Sequence, residues 1–289
     1  MSPRTFSLHL AMTPGIGSRG VTRVLTRNGL LNRSPEEFLS LSSDAYREEY
    51  RLTKKAATQL AYGGKEQMQR TFELEKRLGG LGVMLVTSAD ANYPALVEEM
   101  DPDPPGVIFL YGNQRLLEGK TFAVMSSRNA RPADLDHIER LVEEGVLNSE
   151  ILVAGHDRPE YQRAAVVPLR WGAPRILCLD RGLFQVLGED LKDEAFRAAR
   201  LWRYQFDPRT DLVVSPFRPE AGFVGVNNQV RDRLVGCLSR RLDFVHMNEG
   251  GNMSKIARLA LKANREVRVS DRIIGYRILV EAGAAVLPE

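Results

Sequence analysis

Two short polar turns, each after an apolar segment, contain residue types that bind anions. The segment Thr121–Met125 predicts a strand, and Ser126, Ser127, Arg128 and Asn129 follow it. Small residues permit a close turn, and the helix after it would begin with free N–H groups that point at an anion. Arg128 would add a planar guanidinium with a permanent charge, or it would pair with a carboxylate of its own chain.

The second turn consists of Gly250, Gly251 and Asn252, after the predicted strand Phe244–Met247. Ligands collect at the carboxyl ends of parallel strands, so we expect both turns at the same end of the sheet, facing one groove. Two glycines before a helix are also an ordinary connection between a strand and a helix.

Arginine is concentrated in one part of the chain. Residues 197–241 contain nine arginines, no lysine and four acidic residues, whereas the whole chain of 289 residues has a net charge of +3. Such segregation is what a phosphate-facing surface requires, although a solvated helix face would show it too. The same stretch contains aromatic residues, of which one or two are candidates for stacking on bases: Trp202, Tyr204, Phe206, Phe217 and Phe223.

Near the N-terminus, a tight turn separates two predicted helices within residues 8–28. Its glycines permit the turn, and N–H groups at the start of the second helix could meet a DNA phosphate. The segment therefore resembles a helix-hairpin-helix, with Gly15, Ile16 and Gly17 as its turn. A corner between two helices that packs against protein explains the pattern equally well.

Groups that perform catalysis form no recognisable pattern. The four histidines show no metal-binding spacing, and neither a nucleophile elbow nor a P-loop occurs. Cys178 and Cys237 are expected in the core, so the sequence predicts neither a disulfide nor a zinc site. His156-Asp157 looks catalytic, but with Arg158 beside it a surface salt bridge is the simpler interpretation. We expect no enzymatic activity, no metal and no cofactor.

The elements that position these residues change in character along the chain. Residues 1–63 predict a small all-helical domain, in which Ser34-Pro35 with Glu37 is typical of a helix start. Residues 64–289 predict an α/β domain with a Rossmann-like, mostly parallel sheet and helices on both faces. Strands are predicted at 83–86, 107–111, 121–125, 151–154, 175–179, 212–214, 244–247 and 267–269, and helices at 133–144, 191–203, 227–238, 253–263 and 274–282.

The composition is that of a soluble globular protein, with 43% hydrophobic and 27% charged residues. No apolar run is long enough to cross a bilayer, and the N-terminal residues lack the pattern of a signal peptide. A cytoplasmic protein without a membrane partner is therefore expected.

Several segments, in order, resemble the DNA-processing protein A (DprA/Smf) family. Residues 89–96 (ADANYPAL) are similar to its acidic-x-x-Tyr-Pro-x-Leu segment, and residues 257–261 (ARLAL) to one of its helices. Residues 126–130 (SSRNA) are similar to its Gly-Ser-Arg-Asn-Ala turn, with Ser126 in place of the first glycine. Gly250-Gly251-Asn252 lies where the family has a Ser-Gly-Ser turn, so this part of the pattern is eroded.

The resemblance implies a homodimer that binds single-stranded DNA in a basic groove, with a RecA-type recombinase as partner in DNA processing and recombination. It assigns Arg231 and Arg233 to the DNA, because they fall on two family arginines. Residues two apart on a helix point about 200° from each other, so one of them would alternatively anchor the helix through an internal carboxylate.

The eroded motifs leave a second function open. In that hypothesis the chain is a non-enzymatic regulator, either an antitoxin that restrains a toxin protein or a partner in phage defence. The groove that the family resemblance assigns to DNA would then bind a nucleotide or a protein surface.

Overall fold

The computed structural model describes residues 1–288, and these form two compact units. The first unit contains residues 1–93, 103–110 and 216–218, and the second contains the intervening segments and the C-terminal part. Within the described residues, no helix is both long and apolar enough to cross a membrane.

The helices and strands follow one another in three groups. The first group is α1 Pro3–Met12, α2 Ser18–Leu31, α3 Pro35–Leu39, α4 Ser43–Glu48, α5 Lys54–Tyr62, α6 Gly64–Gly80 and β1 Met84–Thr87. The second is α7 Ala95–Met100, β2 Val107–Gly112, β3 Thr121–Ser126, α8 Pro132–Leu147, β4 Ile151–Gly155, α9 Pro159–Arg170 and β5 Arg175–Cys178. The third is α10 Leu183–Leu187, β6 Leu212–Ser215, α11 Asn227–Cys237, β7 Arg241–His246, α12 Asn252–Lys262, β8 Glu266–Val269, α13 Tyr276–Glu281 and β9 Ala285–Val286.

The first unit is a helical bundle to which β1 and part of β2 add an antiparallel pair. The predicted helix start at Ser34 is confirmed, because Ser34 and Glu37 form a reciprocal capping box at the start of α3. Phe38 is fully buried at the centre of the bundle, with the rings of Phe6, Tyr46 and Tyr50 packed around it. Because α6 packs on α1, the boundary of this compact unit lies beyond the predicted boundary between residues 63 and 64.

The second unit contains seven parallel strands in the order β6-β5-β4-β3-β7-β8-β9. β3, β4, β5 and β6 consist almost entirely of buried residues, as expected for strands that are covered on both faces. α8 packs against α9, whereas α11 packs against α12 and α7, so the two groups cover opposite faces. The prediction of a Rossmann-like, mostly parallel sheet with helices on both faces is confirmed.

One predicted helix is wrong, and three helices of the second unit, α7, α9 and α10, were not predicted. Residues 191–203 contain only a short 3-10 helix, Arg197–Leu201, because the chain here follows tertiary ion pairs rather than its local helical pattern. Glu194 is fully buried, where it binds Arg175 and Arg203. Of these three helices, α9 is the one at the candidate site, because it begins at Pro159 directly after the His156-Asp157-Arg158 segment.

Candidate functional site

The carboxyl ends of β3, β4 and β7 bring the two predicted turns together. β3 lies between β4 and β7, so the winding of the sheet reverses at this point, where ligands of such folds collect. The Ser127 N–H donates to the His246 carbonyl at 2.8 Å, and the Asn248 N–H donates to the Ser127 hydroxyl oxygen at 3.1 Å. The turns after β3 and β7 therefore lie side by side.

Two adjoining cavities open at this end of the sheet, with volumes of about 520 and about 290 Å³. Arg128, Arg158 and Asn228 line both of them. Five of the residues predicted to bind an anion line one or both cavities: Ser127, Arg128, Asn129, Gly251 and Asn252. Ser126 is instead buried as the last residue of β3, and Gly250 shapes the second turn with a φ of 65°.

Arg128 and Arg158 are the cations that face the cavities. Arg128 is exposed, and no residue of the described chain forms a hydrogen bond or ion pair with its side chain. Arg158 lies 3.7 Å (Nη1 to Oδ2) from Asp232, and this Nη1 is buried without a hydrogen-bond partner within the described residues. A buried donor without a partner costs about 1–3 kcal/mol, so an oxygen atom of a ligand placed there would be stabilised.

Sequence reasoning did not place Arg158 at the candidate site. It was interpreted with His156 and Asp157 as part of a surface salt bridge, whereas its side chain is only 12% exposed and lines both cavities. The signal that could have identified it is its position, directly after a buried strand and directly before Pro159, which begins α9.

The starts of three helices also face the cavities. Residues in the first turn of α8, α9 and α12 line them, and a helix N-terminus offers free N–H groups and a partial positive charge. Asn129 and Asp157, in the turns after β3 and β4, have positive φ angles of 66° and 67°. Besides glycine, Asn and Asp are the residues that adopt this left-handed conformation most readily, so both turns can be tight at little cost.

Carboxylates reduce the positive charge of the site. Asp157, Glu160 and Asp232 line the cavities together with the two arginines. Asp157 is paired with Arg181 and Asp232 with Arg231, outside the cavity lining. Glu160 accepts only a long hydrogen bond, 3.4 Å from the Ala130 N–H. With Arg181, Arg231 and Asp180 included, four arginines face four carboxylates, so the side-chain charges balance and the attraction for an anion depends on the helix N-termini and on the unpaired arginine nitrogens.

Arg231 does not face the cavities, so the prediction that it contacts DNA is wrong. Its side chain is 0% exposed and stacks on the Tyr161 ring, 4.9 Å from Cζ to the ring centroid. It donates to Asp232 at 2.8 Å, to Asp180 at 3.3 Å and to the His156 carbonyl. All three nitrogens of this guanidinium are bonded inside the core, so a phosphate cannot reach a free N–H group on it.

Arg233 points the other way along α11, where its Nε lies 2.8 Å from Asp101, the residue after α7. This ion pair connects α11 to the end of α7, and because the Arg233 side chain is still 32% exposed, a contact with DNA stays a prediction. The alternative that one of the two arginines binds an internal carboxylate applies to both of them.

Most other arginines of residues 197–241 are also bonded within the protein, which contradicts the prediction of one phosphate-facing stretch. Their partners are acidic side chains or main-chain carbonyls: Arg203 with Glu194 and Asp211, Arg209 with Asp207, Arg218 with Ala11 and Thr13, Arg240 with Gly119, and Arg241 with Glu150. Arg197 and Arg200 are exposed and have no hydrogen bond or ion pair with the described residues.

The turn at Gly15, Ile16 and Gly17 joins α1 and α2, and it packs within the first unit. Ile16 is buried, and the Thr53 hydroxyl at the start of α5 donates to the Gly15 carbonyl at 3.3 Å. Arg218, which belongs to the same unit, donates to the Thr13 carbonyl at 2.7 Å. These contacts correspond to a helix corner that packs against protein, and a role of the turn in binding DNA stays a prediction.

His156, Asp157 and Asp180 offer oxygen and nitrogen atoms at distances that suit a metal ion. Arg181, however, bonds both carboxylates, so a cation already lies between them. Burial raises the pKa of Asp180, but hydrogen bonds from His156 and Arg181 outweigh it and lower the pKa to about 2. We interpret this cluster as structural.

The two cysteines are buried, as expected. Burial raises the pKa of Cys237 to about 12, and it raises the pKa of Cys178 as well. A thiol is a nucleophile or a metal ligand only as its thiolate, so the protonated state of both thiols is the relevant one at neutral pH.

Comparison with known proteins points to a family and to a fold. The family described as DNA recombination-mediator protein A matches residues 84–287. DNA processing protein A (DprA) from Streptococcus pneumoniae is similar in structure, with 19% identity, a TM-score of 0.70 and coverage of 99% of this chain and 95% of that chain.

A second solved structure, of DNA processing protein A from Helicobacter pylori, is described by its single-stranded DNA binding mode. It is 18% identical, with a TM-score of 0.53 and coverage of 70% of this chain and 88% of that chain. At these identities the likeness shows the fold alone. No curated protein sequence matches the chain.

Proposed function

Because the chain belongs to the DNA recombination-mediator protein A family, we propose that it binds single-stranded DNA at the cavities beside β3, β4 and β7. The protein acts in DNA processing and recombination, as a binding protein rather than an enzyme. A phosphate group would lie between Arg128 and Arg158, in front of the starts of α9 and α12.

The observation that carries this proposal is the state of the two arginines. Arg128 has no partner in the described chain, and the buried Nη1 of Arg158 has no hydrogen-bond partner there. Arg231, by contrast, has all three guanidinium nitrogens bonded within the protein. A phosphate oxygen supplies the missing acceptor, and a hydrogen bond between charged groups is worth about 1.5–3 kcal/mol.

The test measures binding of oligothymidylate against salt concentration for Arg128→Ala and Arg158→Ala. Each variant should bind about tenfold more weakly or worse, and each lost phosphate contact should reduce the salt slope by about 0.7. Arg47→Ala on α4 of the first unit removes the same charge from an exposed side chain and should bind like the wild type. Equal binding by all four proteins, with intact folding, would contradict the proposal.

We also propose a homodimer, as the family resemblance implies. The end of the second unit's sheet is formed by β9, which contains only two residues, and Ile274, Ile278 and Val286 near it are exposed apolar side chains. Light scattering should give twice the monomer mass, and Ile278→Asp should reduce it to that of a monomer. A RecA-type recombinase is the proposed partner. The test is whether this protein helps the recombinase to assemble on single-stranded DNA that is already coated with a single-strand-binding protein.

The balance of charge at the site favours a second candidate function. Three carboxylates line the cavities beside two arginines, which suits a less charged ligand than a polyanion. In that case the chain is a regulator, in toxin restraint or phage defence, and it binds a nucleotide or a protein there. A thermal shift with mononucleotides, without measurable single-strand binding at low salt, would support this candidate.

A further inference from the structure

A second surface of the same unit exposes aromatic and arginine side chains that the proposed function does not use. It lies where the 3-10 helix Arg197–Leu201 and the residues after it pack against α9. We name it the aromatic–arginine surface, and it consists of Arg170, Trp171, Arg197, Arg200, Trp202 and Tyr204. Tyr204 is 75% exposed, Trp171 51% and Trp202 43%, which is unusual for residues of this size.

Arginine side chains hold two of these rings in place. The Arg170 Cζ lies 5.2 Å from the centroid of the Trp202 ring, and the Arg200 Cζ lies 5.9 Å from that of the Tyr204 ring. Both distances are within the range of a cation–π interaction. A guanidinium next to each ring fixes its orientation and adds charge, while the exposed ring area stays open to a second stacking partner.

The charge of the surface indicates what that partner is. Glu139 binds Arg170, whereas Arg197 and Arg200 have no acidic partner in the described chain. Within residues 197–241 they are the exposed arginines that form no hydrogen bond or ion pair with the described residues. Two positive charges beside two exposed rings match a ligand that alternates phosphates with flat bases, since stacking on aromatics together with arginine contacts is how single strands are bound without sequence preference.

α9 connects this surface to the proposed binding site. The helix begins at Pro159, which lines the larger cavity, and ends at Arg170. Twelve residues of α-helix are roughly 18 Å long, so the surface lies about that distance from the cavities along the outside of the unit. We propose that a single strand seated at the cavities continues to this surface, where bases stack on Trp202 and Tyr204 and phosphates meet Arg197 and Arg200. This inference rests on the proposed function.

The chain carries its own probe for this contact. It contains two tryptophans, Trp171 and Trp202, and both belong to the aromatic–arginine surface. Intrinsic tryptophan fluorescence therefore reports on this surface and not on the cavities. An oligothymidylate of about 30 nucleotides, above typical site sizes of single-strand-binding folds, should quench the fluorescence, and one of about 2 nucleotides, seated at the cavities and too short to span roughly 18 Å, should not.

The decisive variant is Trp202→Ala with Tyr204→Ala. It should bind the long strand about fivefold more weakly or worse, from the loss of stacking, and should bind the short strand like the wild type. Arg197→Gln with Arg200→Gln changes only exposed side chains, so it tests the same surface without a risk to folding. Tyr62→Ala, an equally exposed tyrosine of the first unit, is the matched control and should change neither affinity.

The outcomes separate this inference from the proposed function. Wild-type affinity of both surface variants for the long strand would overturn the inference, whatever the cavity variants do, and would leave a protein as the occupant of the surface. Loss of binding in Arg128→Ala with no effect of the surface variants would overturn the inference and keep the proposed function. No binding of either strand by the wild type would overturn both.

Discussion

The Arg231 guanidinium joins two buried carboxylates, Asp180 and Asp232, to the end of β4. Replacement by alanine would leave both acids without this partner in the core, which costs about 3–5 kcal/mol for a buried ion pair. We expect Arg231→Ala to lower the denaturant midpoint strongly, as measured by circular dichroism. The folded fraction of Arg231→Ala should bind single-stranded DNA with an affinity that changes far less than that of Arg128→Ala. An unchanged denaturant midpoint together with lost DNA binding would contradict a structural role of Arg231.

Asp180 makes part of this stability depend on pH. Its pKa is about 2 in the folded protein against 3.8 for the ordinary group, owing to His156 and Arg181. Because folding lowers the pKa, the stabilisation is fully present above pH 3.8 and is lost as the pH falls toward about 2. This shift corresponds to roughly 2 kcal/mol.

The measurement compares the unfolding free energy of the wild type and Asp180→Asn at several pH values. The difference between them should be constant at neutral pH and shrink below about pH 4. A difference that stays constant down to pH 3 would show that Asp180 is not the group responsible.

At the level of single residues, the two turns of the candidate site could be predicted from the sequence, whereas the arginines that face the cavities could be predicted only in part. The turn containing Arg128 and the turn containing Gly251 could be predicted because strand ends and small residues are local signals. The direction of an arginine side chain is not a local signal, since it depends on carboxylates that the fold supplies from far along the chain. Arg231 was therefore assigned to the ligand, and Arg158 was not.

Among the elements, α8 contains a glycine where alanine would ordinarily favour the helix. A Cβ added to Gly145 would lie 2.3 Å from the Phe122 ring on β3, so the close packing of helix on strand requires the glycine. Gly145→Ala should destabilise the protein by about 1–3 kcal/mol, as overpacking does.

The matched control is Gly79→Ala near the end of α6, where a Cβ would meet nothing within 4 Å. That variant should be neutral or stabilising by up to about 1 kcal/mol. Thermal unfolding measures both. Stabilisation by Gly145→Ala would show that Phe122 can move aside and that the packing of α8 on β3 is looser than described.

The alternation of strands and helices was predictable because the buried strands are short runs of β-branched residues between amphipathic segments. The prediction of a helix at 191–203 was wrong for a different reason. Its helical spacing is real, but Glu194 is buried in an ion-pair cluster with Arg175 and Arg203, and this tertiary network determines the path of the chain.

For the whole molecule, charge segregation along the sequence did not predict charge segregation on the surface. The nine arginines at 197–241 suggested a broad basic face, yet the interior binds most of them. Arginine is suited to buried ion pairs because its planar guanidinium donates two parallel hydrogen bonds to one carboxylate. Binding of a polyanion must therefore depend on few cations, and this has a measurable consequence.

The dependence of single-strand affinity on salt counts the phosphates that the protein neutralises. Contacts by Arg128, Arg158, Arg197 and Arg200 together predict that log K falls against log salt with a slope of about −3, whereas contacts at the cavities alone predict about −1.4. A face formed by all nine arginines of residues 197–241 would give a slope of about −6. The slope for a long oligothymidylate, measured at constant pH, thus separates these three arrangements. A value near −6 would mean that arginines bonded in the interior are released to the DNA, and the assignment of the ion pairs as structural would then be wrong.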